Sequence, residues 1–515
     1  MDIWCKNNAY QVMTNTRKGR TDGAVLQLHA ARGGHVSGQI LLRGLQPFTI
    51  TGADVLWQEA APAEATLWLQ GVQVYNDGIP YPDRVEEMHT CEVLSHRTQG
   101  ILVQISVPAG AKPGQYCCKV AAHTTEGDQV ALIQLHIHAV QMPEPAAAAL
   151  DHEYFFSAAK LKRCIGDAAV GSEAWWALMK KFAEAMKQLR INTLALQDNV
   201  FNLQAGLSRR VDRLHWSFDF SLVNEFIRRF FAWGSFRRIC FGAPLQSLTG
   251  ETISSFDEEG KEIRLALRSE EGEAYAVQYL QALYKNLQEQ GWVSISLTHI
   301  EDEPHESENW LCFRDLVRRY MPGVPCSDAM DEFDSAIALT GACDELVPRI
   351  DVYEQGADHF HRHQAAGNKV WCYSCCFPEP NWYLNKFIDL PARYSRMIYW
   401  AAFANGISGF LHWGFAFWES ELYSLDPAAR FKGDGFIVYP DAEKQAVLHS
   451  NRGLATMQGT EEFELLSIAA RRFPEEAKAL ATRLTRSFTD FDDDPELLEK
   501  LRVELFELCE LALTL

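Results

Sequence analysis

Trp292-Val-Ser-Ile-Ser-Leu-Thr-His-Ile-Glu-Asp-Glu-Pro304 runs from an apolar, strand-like segment straight into the adjacent carboxylates Asp302 and Glu303 and then a proline. The text before it, Glu273–Gln290, sets Ala276, Leu280, Leu283 and Leu287 at helical spacing, and a second helix-length segment, 309–320, comes after it. A helix, then a strand with polar residues at its C-terminal end, then a helix, is the repeating unit of a parallel β/α fold. The unit recurs on both sides. Leu150–Phe156, Ile191–Leu196 and Arg237–Phe241 read as three earlier strands, with Ser172 capping a helix that carries Trp175, Leu178, Phe182, Met186 and Leu189 on one face. Val324–Met330, Leu346–Val352, Lys369–Cys375 and Ser408–Trp413 read as four later ones. Eight strands separated by helical text predict a (β/α)8 TIM-type barrel, placed at 150–425.

Upstream, the grammar is different. Ala24–Leu28, Val36–Leu42, Ala65–Val74, Gly100–Val107, Gln115–Ala121 and Val130–Val140 are short, rich in β-branched residues and separated by turn-like text. Regular strands of this kind predict an N-terminal β-sandwich over 1–145. Met142-Pro-Glu-Pro-Ala-Ala-Ala-Ala-Leu150 then reads as a hinge. From 426 to 515 the turn-rich Gly433–Pro440 precedes acidic helices, which predicts a small C-terminal β/helical extension packed on the barrel.

Composition bounds the function. The 515 residues carry a formal charge of −20 and no run of Lys and Arg longer than a pair or so, which argues against a nucleic-acid partner. No apolar run approaches the roughly 18 residues of a membrane span. The opening Met1-Asp-Ile-Trp-Cys-Lys-Asn-Asn lacks a basic segment followed by an apolar one, and 13 cysteines scattered through strand-like text read as reduced thiols. A cytoplasmic location is the expectation, and the sequence leaves room for a homo-oligomer. Walker, HExxH, GxSxG and dinucleotide-binding fingerprints are absent from the sequence, so no cofactor is expected.

Asp302 and Glu303 are the candidate catalytic pair. Glycoside cleavage needs an acid for the leaving oxygen and a second carboxylate to stabilise positive charge on the sugar. Adjacent carboxylates fit poorly on opposite sides of the scissile bond. They suit an enzyme in which the substrate's own acetamido group attacks, one carboxylate orienting that group while its neighbour moves the proton. His299, Asp302, Glu303 and His305 also make a dense set of potential metal ligands, but one loop rarely closes a tetrahedral site without a distant ligand, and no metal is expected. Aromatic residues crowd the later strand ends: Tyr373, Trp413, Phe415, Phe417 and Trp418. Sugar rings present apolar C–H faces, so such platforms suit a saccharide. His299 and Asp351, the latter at the expected end of strand six, complete the candidate binding set.

His299-Ile-Glu-Asp-Glu-Pro304, Lys369-Val-Trp-Cys-Tyr-Ser-Cys-Cys376 with Phe387-Ile-Asp389, Ala404-Asn-Gly-Ile-Ser-Gly-Phe-Leu-His-Trp-Gly414 with Trp418, and Gly433-Asp-Gly-Phe-Ile-Val-Tyr-Pro440 with Gly459-Thr-Glu-Glu-Phe-Glu464 together resemble glycoside hydrolase family 123, the β-N-acetylgalactosaminidases, and the related barrel domain of unknown function. The resemblance implies a substrate-assisted retaining hydrolase of terminal β-linked N-acetylhexosamine, with N-acetylgalactosamine the expected sugar. Asp302 would stabilise the acetamido group, Glu303 would be the acid/base with a raised pKa, Tyr373 would bond the acetamido carbonyl and Trp413 would floor the pocket. Leu454 and Met457 depart from the family's charged pattern there. A glycosidase for a sugar without an acetamido group, and a non-catalytic carbohydrate-binding barrel, are the alternatives.

Overall fold

The computed structural model describes residues 1–158, 161, 164, 166, 168–196, 208–379, 382–418 and 425–514. Two five-stranded sheets form its N-terminal part. One runs in the order Asp2–Asn7, His35–Arg43, Thr98–Ser106, Glu64–Val74, Pro80–Glu87; the other runs Val25–Arg32, Gln129–Gln141, Gly114–Thr124, Phe48–Trp57, Cys91–Val93. Alternation places side chains on two faces: Ala131, Ile133, Leu135 and Ile137 are buried in Gln129–Gln141, among the half-exposed or exposed residues between them. These residues meet Val36, Ile40, Ile101, Val103 and Ile105 of the first sheet in one apolar core. All six strands expected from sequence are present. Pro80–Glu87 escapes a reading of the sequence because two prolines and four charged residues mask it, which an edge strand tolerates.

Eight parallel strands come next: β1 (Asp151–Tyr154), β2 (Thr193–Leu196), β3 (Arg238–Phe241), β4 (Ser296–Thr298), β5 (Ser327–Met330), β6 (Glu345–Pro348), β7 (Lys369–Ser374) and β8 (Gly409–His412). Each pairs with its sequence neighbour, and β8 returns to β1. A parallel bridge between Thr298 and Cys326 joins β4 to β5, so the ring closes. Helices α1 (Glu173–Gln188), α2 (Ser221–Trp233), α3 (Glu270–Gln290), α4 (Ser307–Tyr320), α5 (Phe333–Ala338), α6 (Ile350–Gln355), α7 (Ala357–Ala365) and α8 (Ala392–Ala404) lie between them. Ser172 caps α1 as expected, its side chain accepting from the Trp175 amide. Strand six is shorter than the sequence suggests: it ends at Pro348, and the chain turns into α6 at Ile350.

Phe155, Ala195, Val347, Trp371, Tyr373 and Leu411 fill the barrel interior. Gly409 makes room for Trp371, since a Cβ there would sit 2.3 Å from the indole ring. The N-terminal end of the barrel is closed by ions: Arg238 pairs with Asp151 at 3.0 Å and Glu345 at 2.8 Å, and Lys369 reaches Glu345 at 3.3 Å.

The C-terminal part contains a hairpin (Val438–Asp441 with Ala446–His449) and helices α9 (Asn451–Ala470), α10 (Pro474–Leu484) and α11 (Pro495–Thr514). Helix α9 is buried almost all round and lies along α8, where Gly459 allows the approach: a Cβ would come 2.5 Å from the Arg396 carbonyl. Its Leu454 and Met457 are core residues. Its charged residues act as rivets. Arg452 bonds Asp83 of the first sheet at 3.0 Å and the carbonyls of Lys386, Gly433 and Phe436; Glu461 accepts from the His35 amide at 3.0 Å. Glu464 accepts from the Ala149 and Leu150 amides, tying the end of the segment 142–150 to α9. The thirteen cysteines form no disulfide, and no helix among the described residues is long and apolar enough to cross a membrane.

Glu462 is fully buried between Arg396 and Arg502, at 2.9 and 3.0 Å. Removing one member of a buried ion cluster strands the others without a counter-charge, at a cost of about 3–5 kcal/mol. Glu462→Ala is therefore expected to lower the denaturant midpoint of unfolding sharply, and an unchanged midpoint would contradict this role.

Candidate active site

Strand β4 hands the chain to the site through two fixed points. The His299 amide donates to the Phe241 carbonyl at 2.8 Å, and the Ile300 amide donates to both oxygens of Asp328, at 3.0 and 3.1 Å. Beyond them the loop after β3 grips the turn: Ser247 Oγ donates to the Asp302 carbonyl at 2.7 Å and the Leu248 amide to the same oxygen at 3.3 Å. Glu303 sits in the left-handed region, φ 54°. For a residue with a Cβ that conformation costs roughly 1–2 kcal/mol. The reversal breaks the strand's alternation, and both Asp302 and Glu303 line the mouth of the barrel. Glu301 goes the other way. It is buried behind the turn.

The mouth holds a cavity of about 500 Å³. Asp302, Glu303, Asp331 and Arg349 give it a charged side, and Phe155, Phe377, Trp413 and Phe417 an aromatic one. Tyr373, at the end of β7, stands between the two and donates to Glu303 Oε1 at 2.5 Å. Trp413 is locked in place by a 2.6 Å bond from its Nε1 to Asp434, and its ring centroid lies 5.1 Å from that of Phe417. Arg349 is oriented by Asp351, at 2.7 and 3.0 Å, and lies 3.8 Å from Asp331.

Burial pushes Glu303 up to about 7, and the neighbouring negative charge of Asp302 adds to it; the Tyr373 hydrogen bond pulls the other way. Asp302 is raised too, again chiefly by the protein atoms crowded around its carboxyl, although the residue keeps contact with solvent through the cavity. His299 below it works in the opposite sense. That ring is 2% exposed, with Nδ1 3.1 Å from Asp328 and Nε2 3.6 Å from Glu153. Burial disfavours its charge, but the surrounding Cys240, Asp328 and Glu153 carry its pKa well above the usual value, and its positive charge favours the ionised form of Asp302. Burial thus acts on both carboxyls, with the Asp302 charge adding to it at Glu303 and the His299 charge opposing it at Asp302, so the two environments differ as acid/base chemistry requires.

The catalytic-domain signature of glycoside hydrolase family 123 matches residues 165–469, more than half of the chain and every residue lining the cavity except Phe155. The chain belongs to glycoside hydrolase family 123. A solved family 123 glycoside hydrolase from Clostridium perfringens, studied for glycolipid glycan hydrolysis, superposes with a TM-score of 0.79 over 99% of this chain and 98% of that one, at 13% identity. That likeness speaks for the fold, including the N-terminal sheets and the C-terminal helices. A β-glucuronidase from Bacteroides uniformis (TM-score 0.28, 12% identity, 75% of this chain and 46% of that one) and one from Dictyoglomus thermophilum (0.25, 9%, 62% and 53%) are too distant to carry an argument. No curated protein matches the chain.

In this family 123 barrel, four of the seven residues singled out from sequence come together at the cavity: Asp302, Glu303, Tyr373 and Trp413. The other three stand outside its lining. His299 lies beneath it in the barrel interior. Asp351, in the first turn of α6, reaches the cavity only through Arg349. Trp418 is wholly buried and donates to the Val438 carbonyl at 2.8 Å, anchoring the hairpin. Sequence reasoning misses Asp331, Arg349, Phe155 and Phe377. Arg349 and Asp331 come directly after strands β6 and β5, a position that marks them once those strand ends are placed correctly.

A protonated Glu303 has a spectroscopic signature. The infrared carboxylic C=O band of the wild type minus that of Glu303→Gln should titrate away with a midpoint near pH 7. In Tyr373→Phe, which loses the bond that favours the carboxylate, the midpoint should move higher. A Glu303 ionised by about pH 5, near the ordinary carboxyl range, contradicts the assignment.

Proposed function

We propose that this family 123 hydrolase removes terminal β-linked N-acetylhexosamine, with N-acetylgalactosamine the sugar the family resemblance favours, by a substrate-assisted retaining mechanism. The observation that carries the reading is the pairing of adjacent carboxyl groups at one barrel mouth, Glu303 accepting from Tyr373 and Asp302 standing above the buried His299. Nucleophile and acid in a two-carboxylate retaining enzyme stand about 5 Å apart across the scissile bond. Neighbours on one turn suit a different division of labour.

In this reading the sugar ring lies against Trp413, with Phe417 beside it, and its acetamido group points toward Asp302 and Tyr373. Asp302 accepts the acetamido N–H and stabilises the positive charge that grows as the carbonyl oxygen attacks the anomeric carbon. Glu303 gives its proton to the leaving glycosidic oxygen. The product of that step is a cyclic oxazolinium and a free alcohol. Water then opens the ring, with Glu303 taking back a proton, and the sugar leaves with its configuration retained. Tyr373 has two candidate acceptors, the Glu303 carboxyl and the acetamido oxygen. Moving to the second withdraws a bond that favours ionised Glu303, so substrate arrival strengthens the acid's hold on its proton. His299, Asp351 and Trp418 act from behind: the charge of His299 favours the ionised form of Asp302, Asp351 aims Arg349 at the sugar hydroxyls, and Trp418 fixes the segment beyond Trp413.

General acid catalysis is worth about 10²–10⁴-fold. Glu303→Gln should lose that much kcat on a β-N-acetylgalactosaminide whose leaving group is a simple alcohol, and Asp302→Asn a comparable amount. Nitrophenyl β-galactoside, lacking the acetamido group, should not turn over. Full activity of Glu303→Gln, or equal turnover of the galactoside, would sink the proposal.

A further inference from the structure

Away from the barrel, the outer face of the second N-terminal sheet carries three imidazoles in one place. His136 and His138 stand two apart on Gln129–Gln141 and so share a face; His29, on the parallel neighbour Val25–Arg32, is in register with His136. One ring nitrogen from each lies within 4.8 Å of the other two. His29 Nδ1 and His138 Nε2 lie 2.9 Å apart, at hydrogen-bond distance. We propose that this cluster is a binding site for a divalent transition-metal ion of the zinc class, held by His29, His136 and His138.

The tautomer of His138 argues for it. Glu510, from α11, lies 3.0 Å from His138 Nδ1 and also accepts from the Ala139 amide at 3.2 Å. A carboxylate can only accept, so Nδ1 carries the hydrogen and the Nε2 lone pair faces the cluster, where it accepts from His29 Nδ1 until an ion takes the place of that hydrogen. A carboxylate behind a histidine is how proteins orient an imidazole toward a metal. Phe506 fixes the same ring from above, stacked with centroids 4.1 Å apart and planes 4° off parallel. Tetrahedral zinc at about 2.0–2.1 Å from each nitrogen needs nitrogens roughly 3.3 Å apart, within reach of small ring rotations from the observed spacing.

The surroundings set the affinity and leave a position open. Arg502 is the unfavourable neighbour, but it is paired with Glu462 at 3.0 Å, and Glu499 and Glu510 add negative charge. A cavity of about 230 Å³ adjoins the cluster, lined by His29 and His136 with Gln115, Cys117 and Gln134, so a fourth ligand has room to enter from that side. Because Glu510 and Phe506 belong to the last helix, an ion here would also tie that helix to the sheet.

The test uses the full chain, stripped with a chelator and equilibrated with zinc alone. The wild type should bind one equivalent more than His136→Gln, whose half-exposed site tolerates the change and whose thiols are untouched. Glu510→Gln should bind that equivalent about 10–100-fold more weakly. Cobalt substitution should give the visible absorption of a tetrahedral ion in the wild type only. Equal zinc uptake by wild type and His136→Gln overturns the site. Should His136→Gln fail to fold, an unchanged affinity in Glu510→Gln overturns it instead.

Discussion

Thr298 pairs with Cys326 at the seam where the eight-stranded sheet meets itself, and the chain leaves the sheet one residue later. The closure is thin, a bridge where the other strand pairs make ladders, so the turn beyond it must be held by side chains. Asp328 on β5 does this. Its carboxylate takes the Ile300 amide, the His299 ring and, at 2.6 Å, the Trp310 indole of α4, stitching the far side of the seam to the turn that carries the candidate pair. The ring of β/α units therefore fixes where Asp302 and Glu303 emerge, and the loop at 244–250 fixes how they turn.

A barrel interior is ordinarily packed with branched apolar side chains. Here it contains Glu153, Cys240 and His299, all buried, with Asp328 beside them at the seam. Burying such a group costs free energy unless a partner compensates it, and a charged imidazole between two carboxylates is the compensation available. The same positive charge acts upward on Asp302. The polar column is thus both a packing solution and an electrostatic one, and it connects the seam of the barrel to the protonation states at its mouth.

Much of this is legible in the sequence, for reasons that differ by element. The barrel strands announce themselves because both faces of a parallel strand are buried, as the unbroken burial of Thr193–Leu196 and Glu345–Pro348 shows, and helical periodicity separates them. Asp302, Glu303, Tyr373 and Trp413 sit at the ends of well-marked strands and stand out for that reason. Trp418 shares their local character, and only tertiary packing distinguishes an aromatic platform from an aromatic anchor. Asp351 is misplaced because Leu346–Val352 reads as one strand, while Pro348 ends it. Asp328, Asp331, Arg349 and Asp434 are ordinary polar residues in sequence. Their importance comes from partners 18 to 29 residues away, and no local pattern encodes it.

The proposed substrate-assisted mechanism puts the nucleophile on the sugar and leaves Asp302 to hold it. A crystal structure with an N-acetylgalactosamine-derived thiazoline, a stable mimic of the oxazolinium, tests this most directly. The expected result is the thiazoline nitrogen within hydrogen-bonding distance of Asp302, Tyr373 turned from Glu303 toward the bicycle, and the sugar face on Trp413. A fluorosugar trapped covalently on Asp302 or any other side chain, or a thiazoline bound with its fused ring away from Asp302, would contradict it.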